Sequence, residues 1–266
     1  MKAEQAKKLA DEALEQLNQA LEQGRSENLT AYLAAMGRFY KYSFGNVMLI
    51  ASQKPDATQV AGFKGWQKFS RFVKKGEKGI VIIAPMRIKA KEQGENGEDA
   101  SILRFRAAYV FDVSQTDGEP LPDFAQVGGN PNGHTDRLKS FVQEQGIALE
   151  YVETLYGADG VSKGGSIELV QGLEPAAEFS TLAHELAHEM LHKGDATQRP
   201  SKTVRETEAE AVAFVVCQAI GLDTNSAAAD YIQLYAGDKA TLAASLDRIQ
   251  KTASAIIEAV CDRTPQ

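Results

Sequence analysis

A nine-residue run from His184 to His192 contains three of the four histidines of this 266-residue chain. Its first five residues form an H-E-x-x-H motif. In a helix, residues four apart lie one turn apart on one face, so the imidazoles of His184 and His188 would converge. Two imidazoles at this spacing predict a zinc site, and Glu185 then lies beside the metal as a general base for peptide hydrolysis.

The flanking sequence predicts that this motif lies on a buried helix. Pro175 suits the first turn, Glu178 complements the positive end of the helix dipole, and Lys193-Gly194 suits the end. Apolar residues recur at helical spacing: Phe179, Leu182, Ala183, Leu186, Ala187, Met190 and Leu191. A core helix with incidental histidines is the alternative, which the rarity of the motif disfavours.

A catalytic zinc site needs a third protein ligand, and the next predicted helix, residues 203–220, offers carboxylates. This helix opens with three glutamates at alternate positions and is apolar almost all round in its second half. Burying such charges requires compensation, which a divalent ion provides. Glu206 and Glu210 share a face at i and i+4, whereas Glu208 points elsewhere. A solvated first turn, favoured by the helix dipole, is the alternative for Glu206 and Glu208.

The E-x-x-A-E pattern from Glu206 to Glu210 resembles the second helix of gluzincin-type metallopeptidases. The resemblance implies that Glu206 is the third zinc ligand and that Glu210 orients a ligand histidine. Glu208 remains the alternative third ligand. His192 lies about 12 Å along a continuous helix from His184, too far to share one ion. We therefore expect His192 either to contact a metal ligand without binding the ion or to lie at the end of the helix.

The net charge of −7 conceals a basic stretch, because nine cations and one anion between Gly62 and Lys91 give that stretch a charge of +8. Cations interleave with aromatic residues there and around residues 40–44, a pattern typical of surfaces that bind single-stranded nucleic acid. Core packing is the alternative for the aromatic residues. The candidate nucleic-acid-binding residues are Tyr42, Lys64, Trp66, Lys68, Arg71, Lys74, Lys75 and Lys78.

Four blocks in the first half are distinctive: Tyr-Ser-Phe-Gly-Asn at 42–46, Gly-Phe-Lys-Gly-Trp at 62–66, Val-Lys-Lys-Gly-Glu-Lys-Gly-Ile at 73–80 and Val-Phe-Asp-Val-Ser-Gln-Thr at 110–116. They resemble the N-terminal domain of ArdC-type antirestriction proteins. That family pairs a single-stranded-DNA-binding domain with a zincin-like metallopeptidase domain, is carried on plasmids and other mobile elements, and protects incoming DNA. The resemblance adds Asn46 to the candidate nucleic-acid-binding residues.

Residues 165–221 also resemble ImmA/IrrE-type metallopeptidases, in the histidine run and in the helix that follows it. One departure is Ala211-Val212-Ala213-Phe214, where that pattern usually has an asparagine after the alanine. Two alternatives to an antirestriction metallopeptidase remain open. One is a regulatory protease that cleaves a repressor or a DNA-bound protein, and the other is a non-catalytic single-stranded-DNA-binding protein with structural zinc.

The predicted fold class is α+β in two domains: a helical and β-ribbon single-stranded-DNA-binding domain at 1–118, a linker at 119–133 and a zincin-like, gluzincin metallopeptidase domain at 134–266. The predicted elements are helices at 3–23, 29–53, 135–145, 175–193 and 203–220, a ribbon at 80–113, strands at 148–152 and 166–170, and a helical tail at 225–262. The edge of the strand before the motif helix is expected to pair with an extended peptide.

The implied ligands and partners are Zn²⁺, single-stranded DNA and a protein or peptide substrate. No apolar run approaches the length of a membrane span, and the first residues lack a signal-peptide core, so we expect a cytoplasmic protein without a membrane partner. Cys217 and Cys261 are expected to be buried thiols, and His134 an exposed loop residue. The oligomeric state stays open.

Overall fold

The structure is a computed structural model that describes residues 3–23, 26–89, 101–119, 131, 133–193, 200–222 and 239–261. It confirms the predicted α+β class. The helices are α1 (Ala3–Glu22), α2 (Ser26–Arg38), α3 (Phe44–Gln53), α4 (Phe63–Lys68), α5 (His134–Glu144), α6 (Pro175–Leu191), α7 (Lys202–Ala219) and α8 (Lys239–Cys261). The strands are β1 (Val60–Gly62), β2 (Arg71–Val73), β3 (Ile80–Lys89), β4 (Ser101–Asp112), β5 (Thr116–Gly118), β6 (Ala148–Val152), β7 (Gly160–Ser162) and β8 (Ser166–Val170).

Residue contacts divide the chain into two units. The first unit comprises Met1–Glu15 and Gly45–Pro122, and the second comprises Gln16–Phe44 and Asp123–Gln266. The predicted first domain includes residues 16–44, whereas the contacts group these residues with the second unit. One reason is that α2 packs against α7 and α8. The predicted linker at 119–133 lies mostly outside the described residues and stays a prediction.

An antiparallel sheet of order β1-β4-β3 forms the centre of the first unit. Its core includes Ala6 of α1, Leu49 of α3 and Val81 of β3, with Ile83 and Ala107 packed against them. A second small sheet pairs β2 with β5. The predicted ribbon is therefore confirmed as β3 and β4, while its predicted turn lies outside the described residues.

Helix α3 covers the open edge of β3 with two side-chain amides. The Asn46 amide accepts from the Ile83 N–H at 2.8 Å and donates to the Ile83 carbonyl at 2.9 Å. Gln53 makes the same pair of bonds with Val81, at 3.0 and 2.9 Å. Both amides thus replace a neighbouring strand, which satisfies the edge and blocks pairing with another chain there.

The second unit contains a three-stranded sheet of order β6-β8-β7, in which β8 is central. Strand β8 pairs in parallel with β6 and antiparallel with β7. Helix α6 packs on β7 and β8 with one side and on α7 with another, and α8 packs against α5 and α7. The motif helix is therefore fixed between a sheet and a second buried helix.

Several predicted helices and strands are confirmed closely, including α1, α5, α6, α7, β6 and β8. The predicted continuous helix at 29–53 is wrong, because α2 and α3 are separated by a turn at 39–43. The sequence patterns also missed β1, β2, β5 and β7. Each of these strands has only three residues, too few to display an alternation of polar and apolar side chains.

Candidate functional site

Helix α6 presents the histidine motif from a buried position. Pro175 is its first residue, and its apolar side, which includes Phe179, Leu182 and Leu186, is fully buried. The helix ends at Leu191, and His192 follows as its C-cap. The predicted glycine after Lys193 lies outside the described residues.

Three side chains that can ligate a metal converge between α6 and α7. The Nε2 atoms of His184 and His188 are 3.1 Å apart, and Oε2 of Glu206 lies 3.5 and 3.3 Å from them. One ligand atom from each lies within 4.8 Å of the others. Two imidazoles and a carboxylate are a donor set suited to a catalytic zinc ion. The Glu206 side chain is 49% exposed, so the cluster reaches solvent.

Burial and neighbouring charges shift the pKa values of the two histidines in opposite directions. Burial disfavours the charged form of His184, but the carboxylates of Glu210, Glu185 and Glu206 outweigh it and raise the pKa of His184. Burial and the neighbouring His184 lower the pKa of His188 to about 4. His188 is therefore neutral near pH 7, the form of imidazole that binds a metal.

Glu210 and Glu208 lie on different sides of α7. Oε2 of Glu210 lies 3.3 Å from Nδ1 of His184, on the ring edge away from the ligand cluster. Glu208 is 1% exposed and turns away from that cluster toward His192 and α8. Of the two candidate third ligands, Glu206 is the one whose carboxylate faces His184 and His188.

Glu185 lies beside the ligand cluster and against β7. Burial raises the pKa of the Glu185 carboxyl, and the backbone amide of Ser162 donates to it. Gly160, two residues earlier, is so close to α6 that a Cβ there would lie 2.6 Å from Thr181 Cγ2 and 2.9 Å from Glu185 Cγ. A glycine is therefore required for this approach of the strand to Glu185.

The expected peptide-pairing strand needs correction. The strand that immediately precedes α6 is β8, and both of its edges are paired within the sheet. The outer strand on the α6 side is β7, whose turn into β8 is held by Glu189. The Glu189 carboxylate accepts from Ser162 Oγ and from the amides of Gly164 and Gly165, each at 2.7 Å. Sequence patterns missed β7 and Glu189 because neither belongs to the motif.

The two remaining histidines lie outside the cluster of ligand atoms. His192 is buried, with its Nδ1 atom 3.1 Å from Nδ1 of His188. His192 thus lies at the end of the helix and contacts a candidate ligand, and its predicted role stays a prediction. His134 begins α5 instead of lying in a loop, and its Nδ1 atom is 3.1 Å from the Val260 carbonyl.

Several of the candidate nucleic-acid-binding residues use their side chains within the fold. Trp66 is 2% exposed and its indole N–H donates to the Phe111 carbonyl at 2.9 Å, so it cannot stack on a base. The Asn46 amide is used by β3. The Arg71 guanidinium donates to the hydroxyl and the carbonyl of Thr116 and to the carbonyl of Glu119. Tyr42 belongs to the second unit. For Trp66 and Asn46 the predicted contact role is wrong.

The candidate lysines of the first unit are exposed, and exposed aromatic side chains accompany them. The exposed lysines are Lys64, Lys68, Lys74, Lys75 and Lys78. Exposed rings are Phe63 at 52%, Phe69 at 54%, Phe72 at 60%, Phe105 at 53% and Tyr109 at 49%. The pattern of aromatic and basic residues indicated this surface, but it did not separate the exposed rings from Trp66.

Phe63 and Tyr109 belong to one patch, which we call the aromatic patch: Phe63, Phe111, Tyr109 and Gly79. The rings of Phe63 and Phe111 lie 6.5 Å apart. A Cβ on Gly79 would lie 3.1 Å from Phe111 and 3.0 Å from Tyr109. Lys64 and Lys78 are the sequence neighbours of Phe63 and Gly79, and both lysines are exposed.

The fold and the site define a two-unit α+β protein with an H-E-x-x-H helix and a carboxylate-bearing partner helix. Residues 3–111 match the family model described as the N-terminal domain of anti-restriction factor ArdC. The match bears out the predicted resemblance of this part of the chain to ArdC-type antirestriction proteins, whereas the predicted zincin-like metallopeptidase character of the second part stays a prediction.

Solved structures share the fold. The Mn(II)-bound crystal structure of antirestriction ArdC protein from R388 plasmid is 19% identical, with a TM-score of 0.57 over 96% of this chain and 99% of that one. The metal-free structure of the same protein is 21% identical, with a TM-score of 0.51 over 83% of this chain and 86% of that one. At these identities the likeness establishes the fold.

A relative of known sequence is an uncharacterized protein of Bacillus anthracis. It is 25% identical over 304 aligned residues, which cover 97% of this chain and 51% of that protein. The chain thus spans about half the length of the curated relative that it matches. Within the described residues, no helix is both long and apolar enough to cross a membrane.

Proposed function

We propose that this protein is a single-stranded-DNA-binding zinc metallopeptidase with an antirestriction role. The observation that carries the proposal is the convergence of His184, His188 and Glu206, with the buried carboxylate of Glu185 beside them. The match to the ArdC N-terminal domain supports the antirestriction role, because that family and the structurally similar R388 protein are named for antirestriction.

In this proposal His184, His188 and Glu206 hold the ion. Glu210 accepts a hydrogen bond from Nδ1 of His184, which keeps the proton of the neutral ring on that atom and leaves the lone pair of Nε2 for the ion. When bound, a zinc ion polarises the scissile carbonyl and makes a nearby water more acidic. The crystal structure of the R388 protein with Mn(II) supports a divalent ion, and the nitrogen-rich donor set favours zinc.

Glu185 acts as the general base. Its carboxyl is buried and its pKa is raised, so it accepts a proton from the attacking water more readily than an exposed glutamate does. It then delivers that proton to the leaving amine. The amide of Ser162 holds the carboxylate in position.

The substrate chemistry follows from the sheet edge. Strand β7 is an outer strand of its sheet and passes Glu185 at Gly160 and Ser162, and the outer edge of a sheet can pair with an extended peptide. We propose that a polypeptide segment binds there in extended form. Glu189 fixes the β7–β8 turn that shapes this edge.

The first unit contributes nucleic-acid binding. Phe63 and Tyr109 offer half-exposed rings for base stacking, and Lys64, Lys75 and Lys78 neutralise phosphates. Stacking on such rings does not depend on the base sequence, which suits a protein that protects incoming DNA of any sequence. Trp66 contributes by packing and not by contact.

The peptidase is tested by Glu185→Gln, compared with Glu258→Gln on the exposed side of α8. Zinc-loaded protein is incubated with a cell extract, with and without single-stranded DNA, and new protein termini are identified by mass spectrometry. We expect cleavage by the wild type and by Glu258→Gln, and no cleavage by Glu185→Gln at unchanged zinc content. Equal cleavage by all three proteins would refute the peptidase, and bound zinc without any cleavage would favour a structural metal.

DNA binding is tested by fluorescence anisotropy with an unstructured oligonucleotide. Replacing Phe63 and Tyr109 together by alanine should weaken binding by about 10-fold or more, since one stacked base contributes about 1–3 kcal/mol. Tyr156→Ala is the matched control, because Tyr156 is 97% exposed in the second unit. Affinity should also fall steeply with salt, and a flat response would exclude phosphate-led binding.

A further inference from the structure

Behind His188 lies a hydrogen-bonded series of side chains that reaches helix α8. Nδ1 of His188 lies 3.1 Å from Nδ1 of His192, and Nε2 of His192 lies 3.1 Å from Oε2 of Glu208. On its other oxygen, Glu208 accepts from Ser245 Oγ at 2.6 Å and from the Arg248 guanidinium. We call this series the His188 relay: His188, His192 and Glu208, with Ser245 and Arg248 at its end.

Only one arrangement of protons satisfies every contact in the relay when both rings are neutral. The ionised carboxylate of Glu208 is solely an acceptor, so His192 must donate from Nε2. The neutral ring of His192 then has a lone pair on Nδ1 and accepts there, which requires His188 to donate from Nδ1. The proton of His188 is thereby held away from Nε2, the atom that faces His184 and Glu206.

We infer that His192 and Glu208 are positioning residues, which fix the tautomer and orientation of His188 so that its Nε2 lone pair is available to the metal. This inference rests on the proposed function, because it assumes that His188 is a metal ligand. His184 has an equivalent arrangement with one step fewer, since Glu210 contacts its Nδ1 atom directly. Helix α7 thus supplies three carboxylates with different tasks.

Burial explains why the relay holds one arrangement. His192 is 7% exposed, Glu208 is 1% exposed and Ser245 is fully buried. A buried carboxylate without hydrogen-bond donors is costly. The donors to Glu208 are the side chains of His192, Ser245 and Arg248, so loss of the bond from His192 would leave Oε2 without that donor. Outer partners of metal-bound histidines typically change metal affinity by about 10–100-fold when they are lost.

The decisive variant is Glu208→Gln, which has nearly the same shape. Ser245 and Arg248 both donate to Oε1, so the amide oxygen should remain there and the amide nitrogen should face His192. His192 must then accept on Nε2 and donate from Nδ1, which forces the proton of His188 onto Nε2. We expect zinc affinity, measured by competition with a chelator, to fall about 10–100-fold.

A second pair of variants separates positioning from packing. His192→Phe removes both polar atoms, whereas His192→Gln keeps an acceptor and a donor. We expect His192→Phe to weaken zinc binding and to alter the visible absorption spectrum of the Co²⁺-loaded protein. His192→Gln should restore most of both. Glu258→Gln is the exposed control on α8.

The outcomes distinguish this inference from the proposed function. If the wild type binds no zinc, the proposed function fails. If the wild type binds zinc and folded Glu208→Gln and His192→Phe bind it equally well with an unchanged Co²⁺ spectrum, the relay is only a packing contact and the inference is overturned. Should His192→Phe not fold, Glu208→Gln alone decides between these outcomes.

Discussion

The carboxylate of Glu210 lies 3.3 Å from Nδ1 of His184, while Nε2 of the same ring faces His188 and Glu206. One imidazole is therefore held between an outer carboxylate and the candidate ligand cluster. The arrangement fixes the ring without using its inner nitrogen. It is the geometry by which proteins orient a histidine for a metal ion.

We predict that Glu210→Ala weakens zinc binding about 10–100-fold, because His184 loses the acceptor for its Nδ1 proton. Glu210→Gln should retain most of the affinity, since its amide oxygen still accepts that bond. Chelator competition followed by metal analysis measures both. Glu206→Gln should cost more than Glu210→Gln, and the reverse order would contradict the assigned roles.

A second prediction concerns the contact of β7 with α6. Gly160→Ala places a methyl group 2.6 Å from Thr181 Cγ2 and 2.9 Å from Glu185 Cγ, so these side chains or the strand itself must shift, and Glu185 is displaced. We expect kcat/KM for peptide cleavage to fall about 100-fold with zinc content unchanged, because small displacements at a catalytic group are costly.

Thr181→Ser provides the control for this steric explanation, since it removes Cγ2, the atom nearest to the added methyl group. The double variant Gly160→Ala with Thr181→Ser should recover part of the lost activity. If the double variant is no better than Gly160→Ala alone, the loss has another cause than crowding at Thr181.

A third prediction uses the pH dependence of stability at Asp112. Burial would raise the pKa of Asp112, but hydrogen bonds from Ser114, Thr58 and Gln59 outweigh it and lower that pKa. Because the folded pKa lies below the unfolded value of about 3.9, the stabilisation is complete well above pH 4. It is lost as the pH falls through the folded pKa.

Urea unfolding between pH 7 and pH 2.5 tests this dependence. Asp112→Asn should lower the free energy of unfolding by about 1–3 kcal/mol at pH 7, and the difference from the wild type should shrink in acid. Asp136→Asn, on the exposed side of α5, should leave the pH profile unchanged. A constant difference at every pH would contradict the assignment.

A fourth prediction tests the packing of α2 on α7. A Cβ on Gly37 would lie 2.8 Å from the Val215 carbonyl oxygen, a backbone atom that cannot move aside easily. Gly37→Ala should destabilise the protein by about 1–3 kcal/mol, although alanine favours a helix by about 1 kcal/mol. Thermal unfolding measures the change.

Gly45→Ala in α3 is the matched control, because nothing lies within 4 Å of its Cβ position. It should be neutral or stabilising. Equal effects of the two substitutions would contradict the close approach of Gly37 in α2 to the Val215 carbonyl in α7.

Local periodicity was enough to locate the principal elements. The sequence placed the start of α6 at Pro175, and the i, i+4 spacing put His184 and His188 on one face of that helix. The same rule grouped Glu206 with Glu210 and turned Glu208 away. These results follow from helix geometry, which acts over a few residues and is written in the order of the side chains.

Local spacing could not decide what each side chain meets across the fold. Trp66 and Phe63 have similar sequence surroundings, yet one ring is buried against β4 and the other is half exposed. Strand β7 has only three residues, too few to be recognised from the sequence. Its approach to Glu185 depends on the packing of the sheet against helix α6.

By itself, the sequence determined the motif helix, its two converging histidines and the basic, aromatic first half. Only the tertiary structure decided that Glu206 faces those histidines, that Glu208 reaches His188 through His192, and which aromatic rings stay exposed. The physical reason is that periodicity defines the faces of an element, whereas long-range packing determines what each face contacts.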